Sequence, residues 1–405
     1  MSILLRYLCH PASLAGLLRG VVVAGNLVVL LGLALVLGLD GFGALIVLWG
    51  LALVGSTLLG FGGPLTLLAR LGDGAGMHPR AMLWLCLGLP LIAALTGSLW
   101  LAVIWPQVPW PAVAAMALAV NLAACLGSIL RALGSVQISM VLRDGAPLLA
   151  LGLAGLTRWD ATAILWLATV LLGVICAVGA VLVWRHPARA DLIGQGKPGK
   201  VLTPNLWATA VLGMVLMQVD IIIGGQFLTA EQIGVYALVR RLANLVALPI
   251  SVATWVSAGP ICAAHAARDR AALQRASNTG AQIALLPGLG LAVCALPALW
   301  WLPPNAAPVL GVLLAGTIVQ LAFAQGMTVA TLTGHGHLAA VARLAGVIAY
   351  LGAVALAAPF DPLWNALAYA GATSLCAAIL WLVLWRDTGV NTLALQTRAR
   401  AWRMQ

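Results

Sequence analysis

A carboxylate and two guanidiniums stand in stretches otherwise too apolar to hold them. Asp220 lies in "VLMQVDIIIGG", and Arg240 and Arg241 lie in "GVYALVRRLANLVALP". A charge in the middle of such a run costs roughly 2.5–3.5 kcal/mol on insertion scales, so it marks a pairing, a relay or a bound ligand. The polar turn "TAEQ" between the runs centres near residue 230, ten residues from Asp220 and ten from Arg240. At a rise of 1.5 Å per residue both charges sit roughly 15 Å from the turn, at equal depth, where they can pair. One acid cannot neutralise two cations. Tyr236, Arg240 and Asn244 recur every four residues on one helix face, and Arg241, about 100° round, still reaches Asn244. A net-cationic stripe of this kind suits an anion, and the planar guanidinium fork matches phosphate oxygens. Two chemistries therefore stay open: a helix-locking Asp–Arg pair, and a phosphate contact through the arginine left over.

The chain around these residues is 63% hydrophobic and 8% charged over 405 residues, with a mean hydropathy of +1.06. No water-soluble domain has that balance. Runs of about 20 apolar residues, long enough for a helix to cross a hydrocarbon core of roughly 30 Å, recur from end to end. Twelve are expected, at 14–38, 42–62, 81–104, 111–133, 139–157, 161–184, 205–227, 233–257, 281–302, 307–331, 338–359 and 362–385. With no water to satisfy backbone groups, these must be helices, and the chain is an all-α polytopic membrane protein. Arg143 and Asp144 near the start of the fifth run are expected to pair or reach the interface. Trp100, Trp105, Trp110, Trp159, Trp184, Trp300, Trp301, Trp364 and Trp385 gather near run ends, as an interfacial aromatic belt requires.

Eighteen of the 21 Lys and Arg fall on the N-terminal side of the membrane if the twelve runs alternate; Arg158 falls opposite, and Arg240 and Arg241 lie within. This asymmetry predicts cytoplasmic N- and C-termini. The formal charge of +11 is then a topology signal, and nucleic acid is not an expected partner. The first 20 residues read as an uncleaved cytoplasmic lead-in. Seven scattered cysteines form no CxxC pair, and neither a metal nor another cofactor is expected. Arg131 at the end of the fourth run and Arg19 at the start of the first can sit at headgroup level and admit an anionic headgroup. Asn26 and Asn121 read as helix-to-helix glue. Gln320, Ala324, Thr328 and Thr331 make a mildly polar stripe on the tenth run that can line a cavity.

The longest polar connector, "RHPARADLIGQGKPGK", divides the runs six and six. The expected organisation is an N-terminal six-helix half at 1–184, a cytoplasmic connector at 185–204 and a C-terminal six-helix half at 205–405. Gly63, Pro64 and Asp73 match Gly259, Pro260 and Asp269 at one constant offset, and Gly43 matches Gly234 once an insertion is allowed. Two like-oriented halves place a central cavity between them. "LGLDGFG" at 37–43 resembles the first external turn of the polysaccharide-export flippases. "VDIIIGG…IGVYALVRRL" resembles their seventh and eighth spans, and "GPICAAHAARDRAALQR" the basic connector that follows. The chain is similar over its whole length to the O-antigen type (Wzx-type) family within the multidrug/oligosaccharidyl-lipid/polysaccharide exporter superfamily. It departs from the pattern in its compact length and in Arg240, a cation beside the Arg241 that fits the family spacing.

The resemblance implies a flippase that carries a lipid-linked oligosaccharide, on a polyprenyl phosphate or pyrophosphate, across the cytoplasmic membrane by alternating access. It implies no enzyme activity, a coupling ion such as a proton or sodium, and polysaccharide-biosynthesis enzymes as partners. The residues expected at the substrate are Arg240, Arg241, Asn244, Asp220, Tyr236, Arg131 and Gln320. No GxxxxGK[ST] fingerprint occurs, so nucleotide hydrolysis is not the expected energy source. The alternatives are a cation-coupled multidrug antiporter of the same superfamily, which would want more buried acids than Asp220, and a membrane-embedded glycosyltransferase or polymerase. The latter wants a large external loop or clustered acids, whereas the external connectors are short.

Overall fold

The computed structural model describes residues 11–72, 76–189, 204–357 and 360–394. Among them the chain is helical, with no β-strand. Ten helices are long and apolar enough to cross a membrane, or eleven with a pair bent by 43° between Ala307–Ala322 and Gly326–Leu332. The twelve runs read from sequence reconcile with this count in the first helix. α1, Pro11–Leu59, has 49 residues, about 70 Å of helix and twice what one crossing needs. It breaks at Gly38, whose φ of 71° favours glycine, so its two arms correspond to the first two runs.

The chain forms two compact units, residues 1–214 with 229–234, and residues 215–228 with 235–405. In the first, α1 turns at 60–62 into α2, Gly63–Gly72. Phe61 adopts a left-handed φ of 46° there, and its ring stacks on Trp207 at 5.6 Å. The Trp207 indole N–H donates to the Leu58 carbonyl at 3.0 Å, satisfying a group the turn leaves free. α3, Pro79–Ile104, contains a π-helical turn at Trp84–Gly88. α4, Trp110–Ala132, is rich in Ala and is the most buried span of this unit. Small residues let neighbouring backbones approach where lipid supplies no hydrophobic drive to pack helices. α5, Val136–Gly155, holds a second π-helical turn at Val141–Gly145, and α6, Ala161–Arg185, begins at an Asp160 N-cap.

α7, Pro204–Phe227, and α8, Ala230–Val246, contribute to both units. In the second unit α8 continues, after an offset at Ala247, as α9, Leu248–Ala266. The eighth crossing therefore extends beyond the run expected at 233–257. Pro260 sits inside α9 without ending it, whereas its sequence match Pro64 opens a new helix. α10, Arg270–Ala295, starts on an Asp269 cap, and the short α11, Ala298–Trp301, follows. α12, Ala307–Ala322, and α13, Gly326–Leu332, are the bent pair. α14, Gly336–Ala355, and α15, Pro362–Thr388, complete the unit, with α15 capped by Asp361 and stopped by Gly389 at φ 72°.

Candidate functional site

The charges in α7 and α8 meet as their equal depth predicts. Arg240 Nε lies 2.7 Å from Asp220 Oδ2, with side chains 4% and 0% exposed. The same carboxylate oxygen accepts the Tyr236 hydroxyl at 2.7 Å, one helical turn before Arg240. Arg240 Nη2 donates to the Met217 carbonyl and, at 2.9 Å, to the hydroxyl of Tyr369 on α15, whose ring lies 4.6 Å from the guanidinium carbon. Asn365, one turn earlier on α15, donates to the Asp220 carbonyl at 3.1 Å and accepts the Tyr350 hydroxyl of α14 at 2.7 Å. Four helices are tied through one acid and its cation, all within the second unit. Such a desolvated pair is held only when its remaining hydrogen-bonding capacity is met. Two buried atoms of the pair make no hydrogen bond among the described residues: Asp220 Oδ1, and Arg240 Nε, which meets Oδ2 as an ion pair.

The two arginines have different roles. Arg240 is consumed by the pair, and Arg241, half-buried on the next helix face, makes no hydrogen bond or ion pair among the described residues. It lies within electrostatic reach of Arg240, Asp220 and Tyr369. Asn244, one turn on, is also half-buried. Gln320 is not part of this cluster; its amide donates to Thr373 at 3.0 Å and joins α12 to α15. Thr328 meets Thr254 at 3.1 Å, so that part of the polar stripe is helix-to-helix contact. Arg131 belongs to the first unit, near Arg19, Arg143 and Asp144. Asn26 and Asn121 do join helices, donating to the carbonyls of Asp144 at 3.0 Å and Cys86 at 3.4 Å. A cavity of about 300 Å³ lies in the first unit, lined mainly by apolar groups such as Leu58, Phe61, Ala94, Leu101 and Trp207, with no charged residue in its lining.

Sequence reasoning missed Tyr369, Asn365 and Tyr350, which lie more than a hundred residues from Asp220. Their signal was scarcity: the chain has only four Tyr, and three of them stand in this network.

No family model and no curated protein matches the chain. Solved structures do. An inward-facing multidrug resistance MATE family transporter of the MOP superfamily aligns over 92% of this chain and 95% of its own, with TM-score 0.65 and 12% identity. A MOP superfamily transporter from Pyrococcus furiosus, described by a binding pocket of reverse polarity that suggests a different function, aligns over 91% and 92% at TM-score 0.64 and 13% identity. The lipid II flippase MurJ in an inward closed conformation aligns over 85% and 86% at TM-score 0.55 and 12% identity. The chain shares the fold of these transporters. Within this fold the polar network of α7, α8, α14 and α15 pairs Asp220 with Arg240 and leaves Arg241 over.

Proposed function

We propose that the protein is a flippase that moves a lipid-linked oligosaccharide, carried on a polyprenyl phosphate or pyrophosphate, across a bacterial cytoplasmic membrane by alternating access. The observation that carries this reading is Arg241, a half-buried guanidinium without a partner among the described residues, beside an acid already neutralised by Arg240. A cation kept at that depth asks for an anion, and phosphate oxygens suit its planar donors. Asn244, one turn away, supplies an amide for a sugar hydroxyl or phosphate oxygen. Arg240, Asp220 and Tyr236 act on the substrate indirectly, by fixing α8 so that Arg241 keeps its position. Residues 1–184 and 205–405 serve as the two halves, 185–204 as a cytoplasmic connector, and both termini face the cytoplasm. Similarity in fold to a lipid II flippase is consistent with a lipid-borne substrate.

The test is transport in proteoliposomes, followed as appearance of a labelled polyprenyl-pyrophosphate sugar in the opposite leaflet. Arg241→Gln abolishes it and Arg241→Lys, which keeps charge but loses the fork, retains a fraction. Full activity in Arg241→Gln at normal abundance sinks the reading.

The unpartnered Asp220 Oδ1 favours a second reading, a cation-coupled multidrug antiporter in which this carboxylate takes a proton. The fold similarity to MATE transporters agrees with it. Efflux of a cationic dye that depends on an imposed proton gradient, and fails in Asp220→Asn, supports that reading over the first.

A further inference from the structure

A second group of charges lies in the first unit, where α1 begins, α4 ends and α5 starts. Asp144 sits in the π-helical turn Val141–Gly145, and Arg143 beside it reaches back to the carboxylate, Nε to Oδ1 at 2.8 Å. Adjacent residues of a helix point apart, and the long Arg143 side chain bends back to meet the Asp144 carboxylate. Arg19 of α1 approaches the other carboxylate oxygen, Nη1 to Oδ2 at 3.6 Å. Two turns along the same face of α1, the Asn26 amide donates to the Asp144 carbonyl at 3.0 Å and fixes α1 against the π turn. From α4, Gly127 admits the Arg143 side chain: a methyl group there would lie 3.1 Å from Arg143 Cβ. Arg131 follows Gly127 by one turn on that face and lies within electrostatic reach of Arg19, Arg143 and Asp144.

Three guanidiniums thus lie within reach of one carboxylate, two of them in ion-pair contact with it, so that cations outnumber anions among these four side chains. Stability does not explain the arrangement. The side chains of Arg19, Asp144 and Arg143 are 30%, 29% and 39% exposed, and ion pairs as open as that contribute about 0–1 kcal/mol. The same exposure leaves these charges open to a ligand. The Arg19 Nε atom, in contrast, is buried and has no hydrogen-bond partner among the described residues.

We propose that Arg19, Arg131 and Arg143, gathered around Asp144, form an anion site that takes a phosphate or pyrophosphate group, with Asp144 as the internal carboxylate that the anion displaces. Guanidinium forks donate to phosphate oxygens as they do to carboxylate oxygens, and a phosphate offers more acceptor atoms. The site lies in a different unit from Arg241 and stands without the transport reading.

The experiment uses the full-length protein in nanodiscs of phosphatidylcholine, titrated with inorganic pyrophosphate by calorimetry. A parallel arm carries phosphatidic acid in the discs and follows its retention by native mass spectrometry. The protein with Arg19, Arg131 and Arg143 intact binds one or both probes. Pyrophosphate binding identifies a site open to free anions, and phosphatidic acid retention alone identifies one that reads lipid headgroups. Arg19→Gln and Arg131→Gln each weaken binding about tenfold or more, the loss of a charge-assisted hydrogen bond. Asp144→Asn strengthens it, because the competing carboxylate is gone; a purely structural role predicts the opposite. Arg143→Lys reports on the site should a Gln variant fail to fold. The titrations are run in an Arg241→Gln background, so that pyrophosphate held at Arg241 does not contribute and the result stays separate from the flippase reading. Absence of binding to both probes, or weaker binding in Asp144→Asn, overturns the proposal.

Discussion

Gly43 and Gly234 pack α1 against the start of α8 backbone to backbone, each helix giving the other the same patch. A methyl group on Gly43 would fall 1.9 Å from the Ala230 carbonyl oxygen, and one on Gly234 would fall 2.3 Å from that of Leu39. Leu39 precedes Gly43 by one turn as Ala230 precedes Gly234, so the contact is its own mirror under exchange of the helices. Gly259, the second glycine of the repeat's C-terminal copy, has nothing within 4 Å of the same position. Gly234→Ala should therefore force the helices apart and destabilise by about 1–3 kcal/mol, while Gly259→Ala should not destabilise. Thermal unfolding of the detergent-solubilised variants separates the two, and equal melting points would refute the close crossing.

The Asp220–Arg240 pair makes a second prediction, because a buried charge is tolerated only with its partner. Asp220→Asn or Arg240→Gln alone should cost about 3–5 kcal/mol, and the double change should return much of that loss. Arg241→Gln, which breaks no pair among the described residues, should leave the melting point close to wild type. A drop in stability for Arg241→Gln as large as that for Arg240→Gln would reverse the roles assigned to the two arginines.

Tyr369 offers Arg240 both a hydroxyl and a ring face, and the two contributions can be separated. Tyr369→Phe removes the acceptor at 2.9 Å and keeps the ring at 4.6 Å, at a cost of about 1–3 kcal/mol. Tyr369→Leu should cost more, since the cation–π contact goes too. The same unfolding assay decides: a Phe variant as weak as the Leu variant means that the ring contributes nothing.

How far the site could be read from the chain followed from what helical rise determines. Asp220 and Arg240 flank a short turn at equal distance, so their contact was a matter of counting, and the structure has it at 2.7 Å. Which arginine would pair was open, because both lie at nearly the same depth and only side-chain direction separates them. Tyr369, Asn365 and Tyr350 could not be placed, since no local rule says which distant helix packs beside α7. The break at Gly38 carried a sign in its glycine, whereas Phe61 is held in a left-handed conformation by tertiary contact with Trp207, which no turn rule anticipates.

The distribution of Lys and Arg gives a prediction about sidedness. Single cysteines at residues 195 and 270, in a cysteine-free background, should react with a membrane-impermeant maleimide only after the cells are opened. Cysteines at 107 and 230 should react in intact cells. Labelling of residue 195 from outside would invert the orientation proposed for both termini.

The chain beyond α15 makes a last prediction, on a segment that carried no signal in the sequence. Asn391 is clasped by Gln274 of α10, whose amide donates to the Asn391 carbonyl at 2.6 Å and accepts its N–H at 2.8 Å. The Trp381 indole donates to the Asn391 side chain at 2.8 Å, and the Ala394 N–H reaches the Ala322 carbonyl at 2.9 Å. That carbonyl ends α12 at the bend, where no helical donor follows it. Val390 and Thr392 are 2% and 0% exposed, so the segment is packed as well as bonded. Gln274→Ala removes both backbone partners of Asn391 at once and should cost about 1–3 kcal/mol, with amide exchange at 391–394 quickening before that of α15. Asn391→Ala keeps the Gln274 pairing and should lose less. Thr392→Val should be neutral or stabilising, because the Thr392 hydroxyl is buried without a partner among the described residues. Unchanged exchange at 391–394 in Gln274→Ala would mean that packing of Val390 and Thr392 alone holds this segment, and that the bend between α12 and α13 does not depend on it.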